Sequence, residues 1–213
     1  MDGAMSTEAE TAEAPVKEVY DIGEIPPLGY VPPKMRAWAI RRERHGPPEQ
    51  AMQEEIVDTP KLDSHEVLVL VMAAGVNDNG VWAGLGEPIS PFDVHKAEFH
   101  IAGSDASGIV WAVGDKVKRW KIGDEVVIHC NQDDGDDEHC NGGDPMYSPS
   151  QRIWGYETPD GSFAQFTNVQ AQQLKSLRLM TPLAPRSMTN SRLSSSLITP
   201  MALAPAVLIN WMA

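Results

Sequence analysis

Carboxamide side chains follow the most apolar stretch of the sequence. Asn77 and Asn79, with Asp78 between them, come shortly after the run VLVLVM at residues 67–72. A run of this length, rich in β-branched residues, predicts a strand that is buried on both faces. The short helical pattern that follows ends at Gly86, so the asparagines occupy a strand-to-helix corner, where a scaffold can hold reactive groups. Simple capping of the helix by these asparagines explains the pattern equally well.

A second candidate group is the carboxylate of Glu157, which follows Trp154 and Tyr156 in the segment QRIWGYE. Aromatic neighbours can bury a carboxylate and shift its pKa, which is a property of functional sites. An ion pair between Arg152 and Glu157 on a hairpin would fit the same spacing. The sequence leaves both interpretations open.

Metal-ligating residue types gather between residues 129 and 140, but their spacing does not favour a metal. The acidic residues there fail the alternating pattern of a calcium loop, so a solvated acidic loop is predicted. The pairs His129-Cys130 and His139-Cys140 offer zinc-type ligands. Zinc ligands are usually two to four residues apart, whereas adjacent residues on a strand point to opposite faces. The acidic residues concerned are Asp133, Asp134, Asp136, Asp137 and Glu138.

Composition restricts the class of protein. A net charge of −13 over 213 residues argues against a nucleic-acid surface. Two cysteines do not make a disulfide scaffold, and residues 1–13 carry no apolar run of the kind that a signal peptide needs. The uncharged C-terminal stretch is interrupted by Pro200 and Pro205, which disfavours a membrane span. We expect a cytoplasmic protein that binds neither nucleic acid nor membrane.

The elements that must position these groups are mostly strands. Residues 1–34 are expected to form an acidic, Pro-rich arm, either a floppy leader or a segment along a partner subunit. Strands are predicted at 35–40 and 52–62, with a surface loop over 87–101 that contains at most one turn of helix. Gly-Asp turns then separate further short strands, as in an all-β barrel or sandwich. The helix after the corner is expected to have one apolar side, formed by Val81, Trp82 and Leu85.

Longer segments resemble a known family. GSDASGIVWAVGDKVKRWKIGDEVV is similar to the N-terminal barrel of the medium-chain dehydrogenase/reductase superfamily. AAGVNDNGVWAGLGEPISPFDVHKAEFHIAGSD and QRIWGYETPDGSFAQF resemble the crotonyl-CoA carboxylase/reductase family within it. The resemblance covers residues 20–174. It implies a mainly β (α+β) fold, in which residues 35–174 form a GroES-like, partly open β-barrel with short helices. Residues 175–213 match nothing in the family, and we expect a disordered tail there, produced by a frame change or a wrongly called gene end.

The resemblance also implies a reaction and roles for residues. The family reaction is NADPH-dependent reductive carboxylation of crotonyl-CoA with CO2 to ethylmalonyl-CoA, by enzymes that are homo-oligomers when intact. By motif match Asn79 holds carbon dioxide, Glu157 assists through an ordered water, and Tyr156 shields the site. Asn77 lies where zinc-dependent relatives place a cysteine ligand and zinc-free relatives place an asparagine near the nicotinamide. Ser104-Asp105 replaces their His-Glu, so catalytic zinc is expected to be absent.

Two departures from the family pattern bear on activity. Asp78 stands where the family has tyrosine, which puts a charge between the two asparagines. No Gly-x-Gly-x-x-Gly sequence follows any predicted strand, so the Rossmann domain that anchors NADP(H) is expected to be missing and the chain inactive by itself. The alternatives are a non-enzymatic barrel that serves as a binding module, a zinc-independent quinone-oxidoreductase-like protein, or a metal-binding protein.

Overall fold

The computed structural model describes residues 16–177 and a two-residue strand at Leu208–Ile209. Most of the predicted tail and the first 15 residues lie outside the described part of the chain. Within it, strands provide most of the regular structure and each helix is short, as the sequence predicts. The strands are β1 Lys34–Ile40, β2 Gln53–Asp58, β3 Glu66–Gly75, β4 His100–Ile101, β5 Asp105–Val113, β6 Glu125–Ile128, β7 Asn131–Gln132, β8 Arg152–Ile153, β9 Phe166–Gln170, β10 Leu174–Ser176 and β11 Leu208–Ile209. The α-helices are α1 Pro48–Ala51, α2 Asp78–Leu85, α3 Pro91–Val94 and α4 Glu138–Gly142.

The strands form three antiparallel arrangements. The larger sheet has the order β10-β6-β5-β3, with β9 and β11 also pairing with β3. A smaller sheet has the order β2-β1-β4, and β7 pairs with β8. Residues 163–165 join the two larger sheets, because Trp38 donates to the carbonyl of Phe163 while Val71 donates to that of Gln165. The sheets do not close completely, which confirms the mainly β, partly open barrel.

Strand β3 is the central element, as its apolar run predicts. Residues 67–71 are all buried, and β3 lies inside the sheet, since one of its edges pairs with β5 and the other with β9. Gly108 on β5 allows this pairing, since a Cβ there would lie 2.1 Å from the carbonyl oxygen of Leu70. The buried Trp111 donates from Nε1 to the carbonyl of Tyr30 at 2.7 Å. The core therefore holds the strand that leads to the corner rigidly in place.

The buried face of α2 differs from the predicted one. Trp82 and Leu85 are exposed, and the helix instead buries Gly80, Ala83 and Gly84. These small residues let the helix backbone approach its neighbours. A Cβ on Gly80 would lie 3.4 Å from the Phe163 ring, and one on Gly84 would lie 3.5 Å from a backbone atom of α1. Close backbone approach, rather than large apolar side chains, decides how α2 packs.

The two predicted loops each contain a short helix. The segment 87–101 contains α3, the single turn of helix expected there, and β4, but it is not a surface loop throughout, because Ser90, Pro91 and Phe92 are buried. The acidic segment contains α4, which Asp137 caps by accepting hydrogen bonds from the backbone N–H groups of His139 and Cys140. Apolar periodicity does not reveal these features, because one depends on the single buried aromatic residue Phe92 and the other on side-chain capping by Asp137.

The N-terminal segment lies on the chain's own barrel from residue 16 onward. Tyr20 is buried, and Gln165 donates to its carbonyl oxygen at 3.2 Å. Arg36 pairs with Asp21 across the same contact. These contacts place the described part of the arm against β1 rather than free of the domain. Among the described residues, no helix combines the length and apolarity needed to cross a bilayer.

Candidate active site

Asn77 lies at the corner between β3 and α2, and every polar group of its carboxamide is engaged. Its side-chain oxygen accepts the backbone N–H of Asn79 at 3.0 Å, so Asn77 is the N-cap of α2. Its side-chain nitrogen donates to Ser104 Oγ at 2.9 Å and to a carboxylate oxygen of Asp105 at 2.6 Å. Asn77 therefore caps the helix and also joins the corner to Ser104 and Asp105, while its role in a functional site stays a prediction.

Ser104 and Asp105 reach Asn77 because two strand ends meet. Gly75 at the end of β3 pairs with Asp105 at the start of β5. A Cβ on Gly75 would lie 2.9 Å from the Cβ of Asp105, so glycine permits this approach. Asp105 is exposed, whereas Ser104 is 1% exposed. The corner is therefore polar but closed to water at Ser104.

Asn79 lies one residue into the first turn of α2 and is half-buried. Its side-chain nitrogen is 3.5 Å from Ser104 Oγ, so both asparagine side chains converge on the same hydroxyl. Asp78 between them is exposed and lies in the first helical turn, where a carboxylate interacts favourably with the helix dipole. The aspartate that departs from the family pattern is therefore exposed to solvent, whereas Ser104 is buried.

The second candidate group lies on a turn that contacts the residue before Ser104. Gly155 has φ 70° and packs so tightly that a Cβ would lie 2.0 Å from the carbonyl oxygen of Gly103. Tyr156, the next residue, donates its hydroxyl to the carbonyl of Ile89 at 2.6 Å, which ties the turn to the loop before α3. Burial raises the pKa of this hydroxyl, so it stays protonated as a donor at neutral pH.

Glu157 is held by its own turn. One carboxylate oxygen accepts the backbone N–H of Ile153 at 2.6 Å. The alternative ion pair with Arg152 is wrong, because that guanidinium donates to the carbonyls of Pro149 and Gln151. Gly103 contacts the turn that carries Glu157, and the adjacent Ser104 contacts the two asparagines. These two neighbouring residues therefore link the two candidate groups. The roles that the resemblance implies for Asn79 and Glu157 require both side chains to face one cleft, and this convergence stays a prediction.

The acidic segment gathers three potential metal ligands within 4.8 Å of one another, namely Asp134, Asp137 and Cys140. The Asp137 carboxylate already accepts from two backbone N–H groups and from the Ser148 hydroxyl. The hydrogen bond from Ser148 contributes most to lowering the pKa of Asp137 to about 2. These contacts explain the carboxylate as a helix cap. His129 instead contacts Asn131.

Three histidines, absent from the candidates predicted from sequence, contact the ring of Phe92. His100 on β4 is fully buried, and its Nδ1 is 3.1 Å from Nε2 of His95. Burial lowers the pKa of His100 to about 3, so the ring is neutral at physiological pH. His45 hydrogen-bonds Ser90, and its ring makes an edge contact with Phe92. Isolated histidines in a mixed-polarity segment give no sequence signal of this packing.

The sequence of the chain is similar to proteins of known families. The alcohol dehydrogenase GroES-like domain family matches residues 63–178. A crotonyl-CoA carboxylase/reductase of Cereibacter sphaeroides is 82% identical over 162 residues, which cover 76% of this chain and 38% of that protein. A crotonyl-CoA reductase of Streptomyces collinus is 38% identical over 145 residues, covering 60% of this chain and 31% of that protein.

Solved structures show the same likeness. One crotonyl-CoA carboxylase/reductase superposes with a TM-score of 0.73 at 75% identity, covering 75% of this chain and 37% of the other. Another, in complex with NADP, gives a TM-score of 0.71 at 46% identity over 78% of this chain and 42% of the other. The chain thus spans about 38% of the length of the curated relative from Cereibacter.

Proposed function

The chain belongs to the alcohol dehydrogenase GroES-like domain family, and from that premise we propose that residues 16–177 are the GroES-like part of a crotonyl-CoA carboxylase/reductase. The reaction is reduction of a short enoyl-CoA by NADPH with addition of CO2 at the α-carbon. The observation that carries the proposal is the hydrogen-bonded group Asn77–Ser104–Asp105. It stands where zinc-dependent relatives have their ligands, according to the sequence resemblance.

This group does not fit a zinc ion. The Asn77 nitrogen is a donor, not a ligand, and it already lies within hydrogen-bond distance of both Ser104 and Asp105. A metal would have to separate all three side chains and remove the cap of α2. We therefore propose zinc-independent chemistry, in which amide dipoles stabilise developing charge.

Asn79 and the Glu157 turn supply the carboxylation site in this proposal. When the α-carbon pair attacks CO2, a C–C bond forms and one C–O π pair moves onto oxygen, so negative charge develops there. The Asn79 carboxamide, fixed on α2, donates to that oxygen. Glu157 holds an ordered water beside it, and the Tyr156 ring keeps bulk water out. The tie from Tyr156 to Ile89 and the contact of Gly155 with Gly103 support this rigid placement.

NADPH, when bound, supplies the hydride that reduces the β-carbon. The described residues provide only part of what NADPH binding requires. Asn77, predicted to lie near the nicotinamide, has its carboxamide nitrogen and oxygen engaged, so we propose that it shapes the site rather than binding the cofactor directly. No Gly-x-Gly-x-x-Gly turn occurs in the 213 residues to receive the phosphates.

Location and assembly follow from the same proposal. Cys130 and Cys140 are both free thiols, which supports a reducing, cytoplasmic compartment. Homo-oligomer formation is proposed by resemblance to the intact family.

A chimera tests the function. Residues 20–174 would replace the matching segment of the Cereibacter sphaeroides relative, and NADPH oxidation with crotonyl-CoA would be followed with and without bicarbonate. We expect both activities, with ethylmalonyl-CoA formed when CO2 is present. Asn79→Ala should lower carboxylation about 100-fold, the effect of removing one donor from an oxyanion site. A chimera that folds but reduces no enoyl-CoA would refute the proposal.

A further inference from the structure

Ser104 has an unusual set of hydrogen-bond partners for a buried hydroxyl. It is 1% exposed, and side-chain nitrogens of Asn77 and Asn79 both face its Oγ, at 2.9 and 3.5 Å. A hydroxyl carries one proton as well as two lone pairs, and a buried polar proton needs an acceptor. Among the hydrogen bonds of the described residues, Ser104 Oγ receives two amides and donates to none.

The orientation of the Asn77 carboxamide is fixed, because its nitrogen and its oxygen each face a group that can only accept or only donate a hydrogen bond. The Asp105 carboxylate only accepts, so the amide nitrogen must face it. The backbone N–H of Asn79 only donates, so the amide oxygen must face that. The second N–H of Asn77 is therefore directed to Ser104 Oγ, and Ser104 is necessarily an acceptor from Asn77.

The same reasoning about donors and acceptors applies to the contact between Ser104 and Asn79. The contact from Asn79 to Ser104 is the longer of the two, at the limit for a hydrogen bond. Rotation of the Asn79 carboxamide by about 180° exchanges two groups of nearly the same shape. After that rotation its oxygen accepts the Ser104 proton, and both donors of the amide turn away from the buried serine toward the partly exposed side of the corner.

We propose that Ser104 is a positioning residue that orients the Asn79 carboxamide, with its N–H groups directed to the incoming CO2. The sequence of hydrogen bonds runs from the Asp105 carboxylate through Asn77 and Ser104 to Asn79. This inference rests on the proposed function and extends that function, because it explains why the carboxylating site needs residues that never touch the substrate. Without Ser104 either end of Asn79 can face the site, and only the N–H end stabilises a developing carboxylate.

Product partition in the chimera measures this orientation. Ser104→Ala should lower the ratio of carboxylated to merely reduced product about tenfold, the effect of one buried hydrogen bond. NADPH oxidation without CO2 should fall by less than about threefold, because reduction does not use Asn79. Ser104→Thr keeps the hydroxyl and should restore the ratio. Ser148→Ala, which removes another buried serine, one that donates to Asp137 in the acidic segment, should leave the ratio unchanged.

Equal losses of carboxylation and reduction in Ser104→Ala would show a structural role only and overturn the proposal. An independent measurement uses the whole 213-residue chain, labelled with ¹⁵N. The side-chain N–H2 of Asn77 should exchange with water about tenfold or more slowly than that of Asn79, since only the former donates inward. Equal protection of the two amides would mean that Ser104 accepts from both, and would overturn the proposal. This result stands even if the wild-type chimera fails to carboxylate, so the two failures can be told apart.

Discussion

The side-chain nitrogen of Asn77 lies 2.6 Å from a carboxylate oxygen of Asp105, a residue 28 positions later in the chain. The same carboxamide caps α2. One side chain therefore joins the end of β3, the start of β5 and the first turn of α2, so a change at Asn77 should affect stability as well as the site.

Asn77→Asp should destabilise the chain in a pH-dependent way. Aspartate can still cap the helix, but two carboxylates would face each other and raise the pKa of the pair. A group whose pKa is raised in the folded state stabilises the fold at low pH, and this contribution is lost as the pH rises through the raised pKa. We expect a deficit of about 1–3 kcal/mol at pH 7 that shrinks toward pH 4. Urea unfolding measures it, and Asp78→Asn, at the exposed neighbouring position, provides the control.

Gly155→Ala should disturb the turn that carries Tyr156 and Glu157. The new Cβ would meet the carbonyl oxygen of Gly103, 2.0 Å away, in addition to the strain of φ 70°. Gly143→Ala is a matched control, because Gly143 has φ 98° and nothing within 4 Å. The control should cost about 1–2 kcal/mol from backbone strain, and Gly155→Ala should cost about 1–3 kcal/mol more through overpacking. Equal thermal unfolding of the two variants would contradict the contact between Gly155 and Gly103.

His100 should make the fold sensitive to acid. Its pKa is lowered to about 3 by burial, against about 6.5 in an unfolded chain. Between these values the unfolded state takes up a proton that the folded state refuses, so stability is full above about pH 6.5 and is lost as pH falls toward 3. The loss from pH 7 to pH 5 is about 2 kcal/mol for this group. His100→Leu should remove that part of the slope, measured by urea unfolding at both pH values.

Asp160 should act in the opposite direction. Burial, with a smaller contribution from Glu66, raises its pKa to about 6. The neutral acid is favoured in the folded state, so its stabilising contribution is present at low pH and is lost as pH rises through 6. Asp160→Asn, which cannot ionise, should therefore gain stability relative to the parent between pH 4 and pH 7. Glu66→Gln should lower the pKa of Asp160, which NMR titration would detect; an unchanged value would exclude this electrostatic contact.

The isolated 213-residue polypeptide should show no NADPH oxidation with crotonyl-CoA, with or without bicarbonate. Positioning of reactants contributes about 7–11 kcal/mol to catalysis, and these residues contain no glycine-rich turn to anchor the cofactor phosphates. Stopped-flow absorbance at high enzyme concentration is the measurement. Robust turnover by this polypeptide would show that the cofactor is held in a way that neither its sequence nor its described residues suggest.

Several features of the fold and site could be predicted from the sequence because their causes are local. The apolar run in β3 dictates a buried strand, and Gly86, with φ 73°, ends α2 where the sequence places the stop. Asn77 as a cap follows from the same local pattern. The buried side of α2 could not be predicted this way, because small residues pack by backbone approach and leave Trp82 exposed.

The sequence by itself determined which residue types stand at the corner and on the Glu157 turn, and that the strands around them alternate or run apolar as a β fold requires. Only the tertiary structure decided that Ser104 lies under both asparagines and that Gly103 touches Gly155. The physical reason is that periodicity reflects burial, which each segment carries in its own residues. A hydrogen-bond partner instead depends on the register that brings β3 and β5 together, and Gly75 and Asp105 are adjacent only once those strands have paired.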